Sequence, residues 1–292
     1  MARGRETRMS ELARPVAGLD VGTEFVKAIV LAGDGAILGR ASVPTRGYFQ
    51  ERAREALDAA LDDAQTAEDE LGGLCATGFG ASLVHGATRT ASEAACHARG
   101  AFHHIPGVMT VVNIGGQEPR VIRVDGSGQP TEIASLRHCA VGIGTFLMFA
   151  ARHLDVHPTQ LQELAAGAEQ PAHVGSYCSV FAGVELLERL REGASREEVA
   201  LGCIHSVAER VAEIIRFEAP IRVTGGVAEF FPGVLKRLSG LTGQTVEAIP
   251  EPMLAGALGA ALKARDLASR AGSTPGAVVG TQAATAKPKE QG

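Results

Sequence analysis

Two cysteines in this chain stand where a thiolate can do chemistry. Cys139 opens Cys139–Ala140–Val141–Gly142–Ile143–Gly144, and Cys178 opens Cys178–Ser179–Val180–Phe181–Ala182. Each precedes a segment expected to be helical, at 144–154 and 179–192. Helix N-termini carry a partial positive charge and free N–H groups that favour an anionic ligand. Three glycine turns accompany the cysteines: Gly18–Leu19–Asp20–Val21–Gly22–Thr23, Val112–Asn113–Ile114–Gly115–Gly116–Gln117–Glu118 and Thr224–Gly225–Gly226–Val227. Each follows an apolar, strand-like run. Glycines let backbone N–H groups close on a phosphate. Thr23 adds a hydroxyl donor there, and Asp20 is placed to hold a hydrated metal ion. Gln117 and Glu118 can orient water for attack on a terminal phosphate. Gly225 and Gly226 allow close contact with a nucleoside, and Lys27 is a further candidate for nucleotide binding. Singly each turn is a weak signal, and the first also reads as an ordinary hairpin. Together with a thiolate pair, they point to nucleotide hydrolysis coupled to redox chemistry.

The elements that position these residues come in two similar series. Val16–Leu31 reads as strand, turn, strand, and Asp34–Gly35 as a hairpin turn into a third strand over Ala36–Pro44. Helical spacing of Ala53, Ala56, Leu57, Ala60, Leu61 and Ala64 predicts an amphipathic helix over Gln50–Ala67. A short strand, Gly73–Thr77, and a helix, Ser92–Gly100, follow. The second series repeats strand, glycine turn, strand and hairpin over Val108–Gly128. Helices are expected at 144–154, 159–166, 179–192, 195–216, Phe231–Thr242 and Met253–Ala268, with strands at Ile221–Thr224 and Thr245–Ile249. Strands interleaved with helices imply an α/β layered architecture, and the duplication implies two lobes with a cleft between them. Residues 1–14 read as a disordered leader and 271–292 as a disordered tail. Between them lies one domain, 15–270, with a first lobe over 15–105 and a second over 106–270 whose chain crosses back near its end.

Composition narrows the class. The chain has 292 residues, 45% of them hydrophobic, with no Trp and only 4% aromatics, so its core must be built from Ala, Val, Leu and Ile. A net charge of -5 argues against nucleic acid as the main partner. No apolar run reaches the roughly 18 residues needed to span a bilayer. Met1–Arg14 has no apolar stretch of the kind a secretory signal needs. The expected compartment is the reducing cytoplasm, with neither membrane nor nucleic acid as partner, where five cysteines are more often metal-binding, catalytic or buried than disulfide-bonded.

The ordered set Asp20–x–Gly22–Thr23, Gly115–Gly116–Gln117 and Thr224–Gly225–Gly226 resembles the duplicated actin, sugar-kinase and Hsp70-like ATPase fold. Further segments resemble one group within it: Ala76–Thr77–Gly78–Phe79–Gly80, Ser92–Glu93–Ala94–Ala95–Cys96–His97, Asn113–Glu118, the two cysteine turns, and Gly256–Ala257–Leu258–Gly259. That group is the BadF/BadG/BcrA/BcrD-type family of ATP-dependent activators of 2-hydroxyacyl-CoA dehydratases and ATPase subunits of benzoyl-CoA reductase. The resemblance spans roughly residues 16–265. It implies ATP and Mg²⁺ in the cleft and a [4Fe–4S] cluster on Cys139 and Cys178. Such a cluster takes four thiolates, so two per chain implies a homodimer or paralogous heterodimer around one shared cluster. It also implies a ferredoxin or flavodoxin upstream, and an acyl-CoA dehydratase or reductase that receives the electron. A lone cysteine is otherwise a small buried hydrophobe, which is the reading for Cys75, Cys96 and Cys203.

Several positions depart from that pattern. Asn113 stands where the family usually has Asp, which weakens the expected hold on metal-bound water. Glu118 stands in place of another Asp, and Ile143 and Thr145 in place of frequent Thr and Arg. Two other readings stay open on residues alone: a small-molecule kinase of the same fold, and a subunit that holds its share of a cluster without hydrolysing ATP.

Overall fold

The computed structural model describes residues 14–135, 142–175, 179–216 and 220–271. Within them the chain builds two five-stranded sheets of one topology. In the first, β1 (Val16–Val21), β2 (Phe25–Leu31) and β3 (Ile37–Pro44) form an antiparallel meander. Parallel β4 (Leu74–Thr77) and β5 (Arg89–Thr90) extend the other side of β1, giving the order β3-β2-β1-β4-β5. In the second, β6 (Met109–Asn113), β7 (Arg120–Val124) and β8 (Pro130–Ser135) form the meander. Parallel β9 (Ile221–Thr224) and β10 (Val246–Ala248) complete the order β10-β9-β6-β7-β8. The central strands β1 and β6 are buried along their whole length. That fits their nearly unbroken apolar sequences, since a strand covered on both faces has no solvent side to alternate with.

Helices layer around these sheets. Helix α1 (Phe49–Asp63) turns Ala53, Ala56 and Leu57 onto one face of the first sheet, against Leu19 and Val26. Helices α2 (Glu93–His104) and α9 (Ala255–Ala271) fill the space between the sheets. Cys75 and Cys96 pack there with Leu258 and Leu262 on the first sheet's side. Ala98 and Ala101 pack with Val111 and Ile122 on the other. The largest core lies beyond the second sheet. It is built from α3 (Ile143–His153), α4 (Leu161–Ala166), α5 (Ser179–Arg191), α6 (Arg196–Ala212), α7 (Gly226–Phe230) and α8 (Pro232–Thr242). Each buried Leu, Ile, Val or Phe there contributes about 1.5–3 kcal/mol, and Phe146, Leu147 and Leu186 are 2% exposed or less.

The small-residue face of α9 makes the middle layer thin. A Cβ on Gly259 would sit 1.8 Å from the Cys96 carbonyl oxygen, so α2 and α9 touch backbone to backbone. The last helix thus returns to the first sheet, although it follows the second in sequence.

Element limits differ from expectation in physically simple ways. The helix expected to run to Ala67 stops at Asp63, because Gln65 adopts φ 50° and Thr66 N–H turns back to Leu61. The glycine turn after β9 opens directly into α7, which breaks at Phe231 (φ −130°) before Pro232 starts α8. Proline disfavours helical geometry in the residue before it. The leader up to residue 13 and the tail from residue 272 lie outside the described residues. Arg14 is anchored, with Nε donating to the Glu70 carbonyl at 2.9 Å.

Candidate functional site

The duplication places equivalent residues on two facing turns. Asp20, near the end of β1, stands opposite Lys27 on β2, and Asn113 at the end of β6 stands opposite Arg120 on β7. On the other flank Asp20 neighbours Thr77 and Asn113 neighbours Thr224. Both threonines precede a glycine in left-handed geometry, Gly78 (φ 88°) and Gly225 (φ 95°). A Cβ on Gly78 would lie 2.6 Å from Asp20 Oδ1, and one on Gly225 2.7 Å from Asn113 Oδ1. Each glycine therefore supplies both a backbone conformation and the room for an Asx side chain.

The two turns differ in how charge is balanced. In the first, Lys27 Nζ lies 2.8 Å from Asp20 Oδ2, with side-chain exposures of 11% and 6%. In the second, Asn113 has no charge to offer Arg120. Both turn to Glu93, in the first turn of α2. Asn113 Nδ2 donates to Glu93 Oε1 at 2.9 Å, and Arg120 Nη1 donates to Glu93 Oε2 at 2.5 Å. Asn113 Oδ1 and His97 Nδ1 are buried without a hydrogen-bond partner among the described residues. His97 is held neutral chiefly by burial, which lowers its pKa against the opposing pull of Asp20 and Glu93.

One cavity of about 930 Å³ lies between the sheets. Every sequence candidate outside the two cysteines lines it: Asp20, Gly22, Thr23 and Lys27 from the first sheet, Gly115, Gly116, Gln117 and Glu118 from the second, and Gly225 with Gly226 from the turn into α7. Glu24, Phe79, Glu93, His97 and Arg120 line it as well, and were not singled out as site residues from sequence. Arg120 had a legible signal, because it follows Asn113 at the same spacing that separates Lys27 from Asp20. Glu93 lies in a segment that resembles the family, but only the packing of α2 between the sheets shows that it reaches the second turn. Val227, Phe230, Phe231 and Met253 make the end near Gly225 apolar, while the opposite walls are charged.

The turns meet at one corner. A Cβ on Gly116 would lie 2.7 Å from Glu24 Cγ and 2.8 Å from Thr23 Oγ1, so the bare Cα is what lets them approach. Carbonyls of the second turn also cap α3. Ile143 N–H donates to Gln117 O at 3.2 Å, Gly144 N–H to Gly115 O at 3.2 Å and Thr145 N–H to Gly116 O at 3.1 Å. The sequence reading left the N–H groups of this helix start free for an anionic cluster. These three are already taken by the glycine turn. The start of α3 is therefore tied to the cavity wall.

Residues 17–264 match the model of the BadF/BadG/BcrA/BcrD ATPase family. The chain belongs to that family. Within the family's range of relatives, it is 34% identical over 256 residues to an activator of lactoyl-CoA dehydratase from Anaerotignum propionicum, covering 87% of this chain and 98% of that one. Among solved structures it superposes with TM-score 0.82 and 27% identity on the activator of 2-hydroxyisocaproyl-CoA dehydratase from Clostridium difficile with bound ADPNP, covering 91% and 100% of the two chains. A glucokinase of the ROK family from Streptomyces griseus, at 14% identity and TM-score 0.53, shares the fold alone over 86% of this chain and 99% of that one. The BadF/BadG/BcrA/BcrD fold is thus the sugar-kinase and actin-like one, duplicated as the two sheets show.

Cys139 and Cys178 lie outside the described residues. The other three cysteines are buried. Burial pushes the thiols of Cys96 and Cys203 up to about 12 and raises that of Cys75. Among the described residues no group of three or more His, Cys, Asp or Glu could hold a metal ion, and no helix is long and apolar enough to cross a membrane.

Proposed function

We propose that this chain is an ATP-hydrolysing electron-transfer subunit that activates an acyl-CoA dehydratase or a benzoyl-CoA-type reductase. The observation that carries the reading is the convergence of two duplicated Asx–Gly turns on one cavity, in a chain of this ATPase family. Polyphosphate lies between the turns. Lys27, with its charge held beside Asp20, meets the phosphates, and Thr23 donates a hydroxyl. The glycines at 115 and 116 present backbone N–H groups, and Gln117 and Glu118 orient the attacking water. The apolar end at Gly225, Gly226 and Phe231 takes the nucleoside.

Mg²⁺ fits this cavity. It takes oxygen ligands and keeps several waters, and the unpartnered Asn113 Oδ1 joins Asp20 and Glu93 as oxygens around one space. Mg²⁺ would neutralise charge developing on the phosphates.

For the [4Fe–4S] cluster, the family resemblance supports Cys139 and Cys178 as the ligands in this chain. Two thiolates per chain make the unit a homodimer or paralogous heterodimer. When bound, the cluster supplies a single low-potential electron, received from a ferredoxin or flavodoxin in the cytoplasm and passed to the acyl-CoA enzyme. The chain's own part is to bind nucleotide, position water and carry cleft motion into α3, whose first N–H groups bond the turn.

A second reading is favoured by Asn113, which brings no charge to its turn. In that reading the subunit holds its share of the cluster and turns over little ATP. Anaerobically purified protein assayed for ATP turnover and acid-labile sulfide separates the two. Robust turnover with sulfide present supports hydrolysis coupled to electron transfer. Sulfide without turnover supports the second reading, and absence of both contradicts the proposal.

A further inference from the structure

Helix α3 has one hydrogen bond to the first sheet and its turns among the described residues. Thr145 Oγ1 donates to Glu24 Oε1 at 2.7 Å. The same hydroxyl lies 3.0 Å from Gly116 O, which also receives the Thr145 N–H. Glu24 follows Thr23 on the first turn and lines the cavity, and its backbone carbonyl accepts from Thr45 N–H at 2.9 Å. Its carboxylate thus stands at the corner where both turns meet, in the turn between β1 and β2. A hydrogen bond to a charged group contributes more than a neutral one.

We infer that the Glu24–Thr145 hydrogen bond is a nucleotide-sensitive latch that positions the start of α3. The inference rests on the nucleotide reading of the cavity. A polyphosphate between the turns brings negative charge towards the Glu24 carboxylate, and like charges at close range repel. The Glu24 side chain turns away and releases the Thr145 hydroxyl. The start of α3 then keeps its backbone bonds to the second turn but loses its tie to the first. In this latch Glu24 and Thr145 act as positioning residues. Cys139 precedes Ile143 by four residues in sequence.

The test uses the full chain, purified anaerobically, with β,γ-imido-ATP and Mg²⁺ as the probe. Hydrogen exchange of the amides at 143–147 is followed with and without the probe, and probe affinity is measured by calorimetry. In the wild type, the probe is expected to speed exchange roughly tenfold, the contribution of one charged hydrogen bond. In Thr145→Val, exchange is fast from the start and the probe changes it less than about twofold, with affinity preserved. Thr145→Ser keeps the hydroxyl and restores the wild-type response. Equal responses in wild type and Thr145→Val, with the probe bound by both, would overturn the latch and leave the nucleotide reading standing. Failure of the wild type to bind the probe would overturn both.

Discussion

Asn113 and Glu93 share a hydrogen bond of 2.9 Å across the joint between the second sheet and the middle layer. This contact changes what Asn113 means. Its amide N–H₂ is committed to a carboxylate that also receives Arg120, so the second turn has a negative group after all, delivered from α2. Asn113→Asp would set two carboxylates face to face. Without a cation, one of them must take up a proton or move. The variant is expected to lose roughly 5 °C in Tm in EDTA through the lost charged hydrogen bond, and to regain it in Mg²⁺. Calorimetric melting with and without Mg²⁺ checks this; a Tm indifferent to Mg²⁺ would count against a cation site between these residues.

Lys27 and Asp20 form a nearly buried ion pair. Removing one partner of such a pair leaves an uncompensated charge and costs about 3–5 kcal/mol. Lys27→Met is therefore expected to be strongly destabilised, and Lys27→Met combined with Asp20→Asn to recover much of that loss. Neither variant should bind ATP with less than a tenfold loss of affinity if Lys27 meets the phosphates. Urea unfolding and calorimetry on the pair of variants decide the matter, and retained affinity in the double variant would remove Lys27 from the site.

Neighbouring glycines of the second turn should respond differently. A Cβ on Gly116 meets Glu24 and Thr23 under 3 Å, whereas one on Gly115 meets nothing within 4 Å. Gly116→Ala should lose about 1–3 kcal/mol of stability, as overpacking does, and Gly115→Ala little. Comparable unfolding midpoints for the two would show that the turns are not in contact at that corner.

The buried His97 gives the fold a pH dependence of known sign. Its pKa in the fold is below the unfolded value because burial disfavours the cation. The unfolded chain thus binds the proton more readily. The stability from a neutral His97 is fully present above the unfolded pKa of about 6.5, and is lost as pH falls below it. Tm should decline from pH 7.5 to pH 5.5, and His97→Gln should flatten part of that slope. An unchanged slope in the variant would assign the effect to His103, His104 or His205, whose pKa values are also lowered by burial.

Much of the fold was legible because the glycine turns repeat. Gly22 and Gly115 mark two hairpins of the same kind, and the strands on either side are apolar enough to be buried. What the sequence concealed depends on three-dimensional packing. Nothing near Glu93 in sequence tells that α2 lies between the sheets and carries a carboxylate to Asn113. Phe231 looked like the start of one helix, whereas it is the break between two, set by Pro232. That Asp20, Lys27 and the glycines of three turns line one cavity fits their type and spacing. Glu24 could not be read that way, because its meaning comes from Thr145, far along the chain and in the other half of the duplication.

Two chains sharing one cluster through Cys139 and Cys178, as proposed, would show directly in the iron content. Iron and acid-labile sulfide are measured per chain in anaerobically purified wild type, in Cys139→Ala and in Cys203→Ala. A shared cluster gives about two iron atoms per chain, half of a [4Fe–4S] cluster. It predicts near loss of iron in Cys139→Ala and full retention in Cys203→Ala. Four irons per chain, or a full complement in Cys139→Ala, would contradict it.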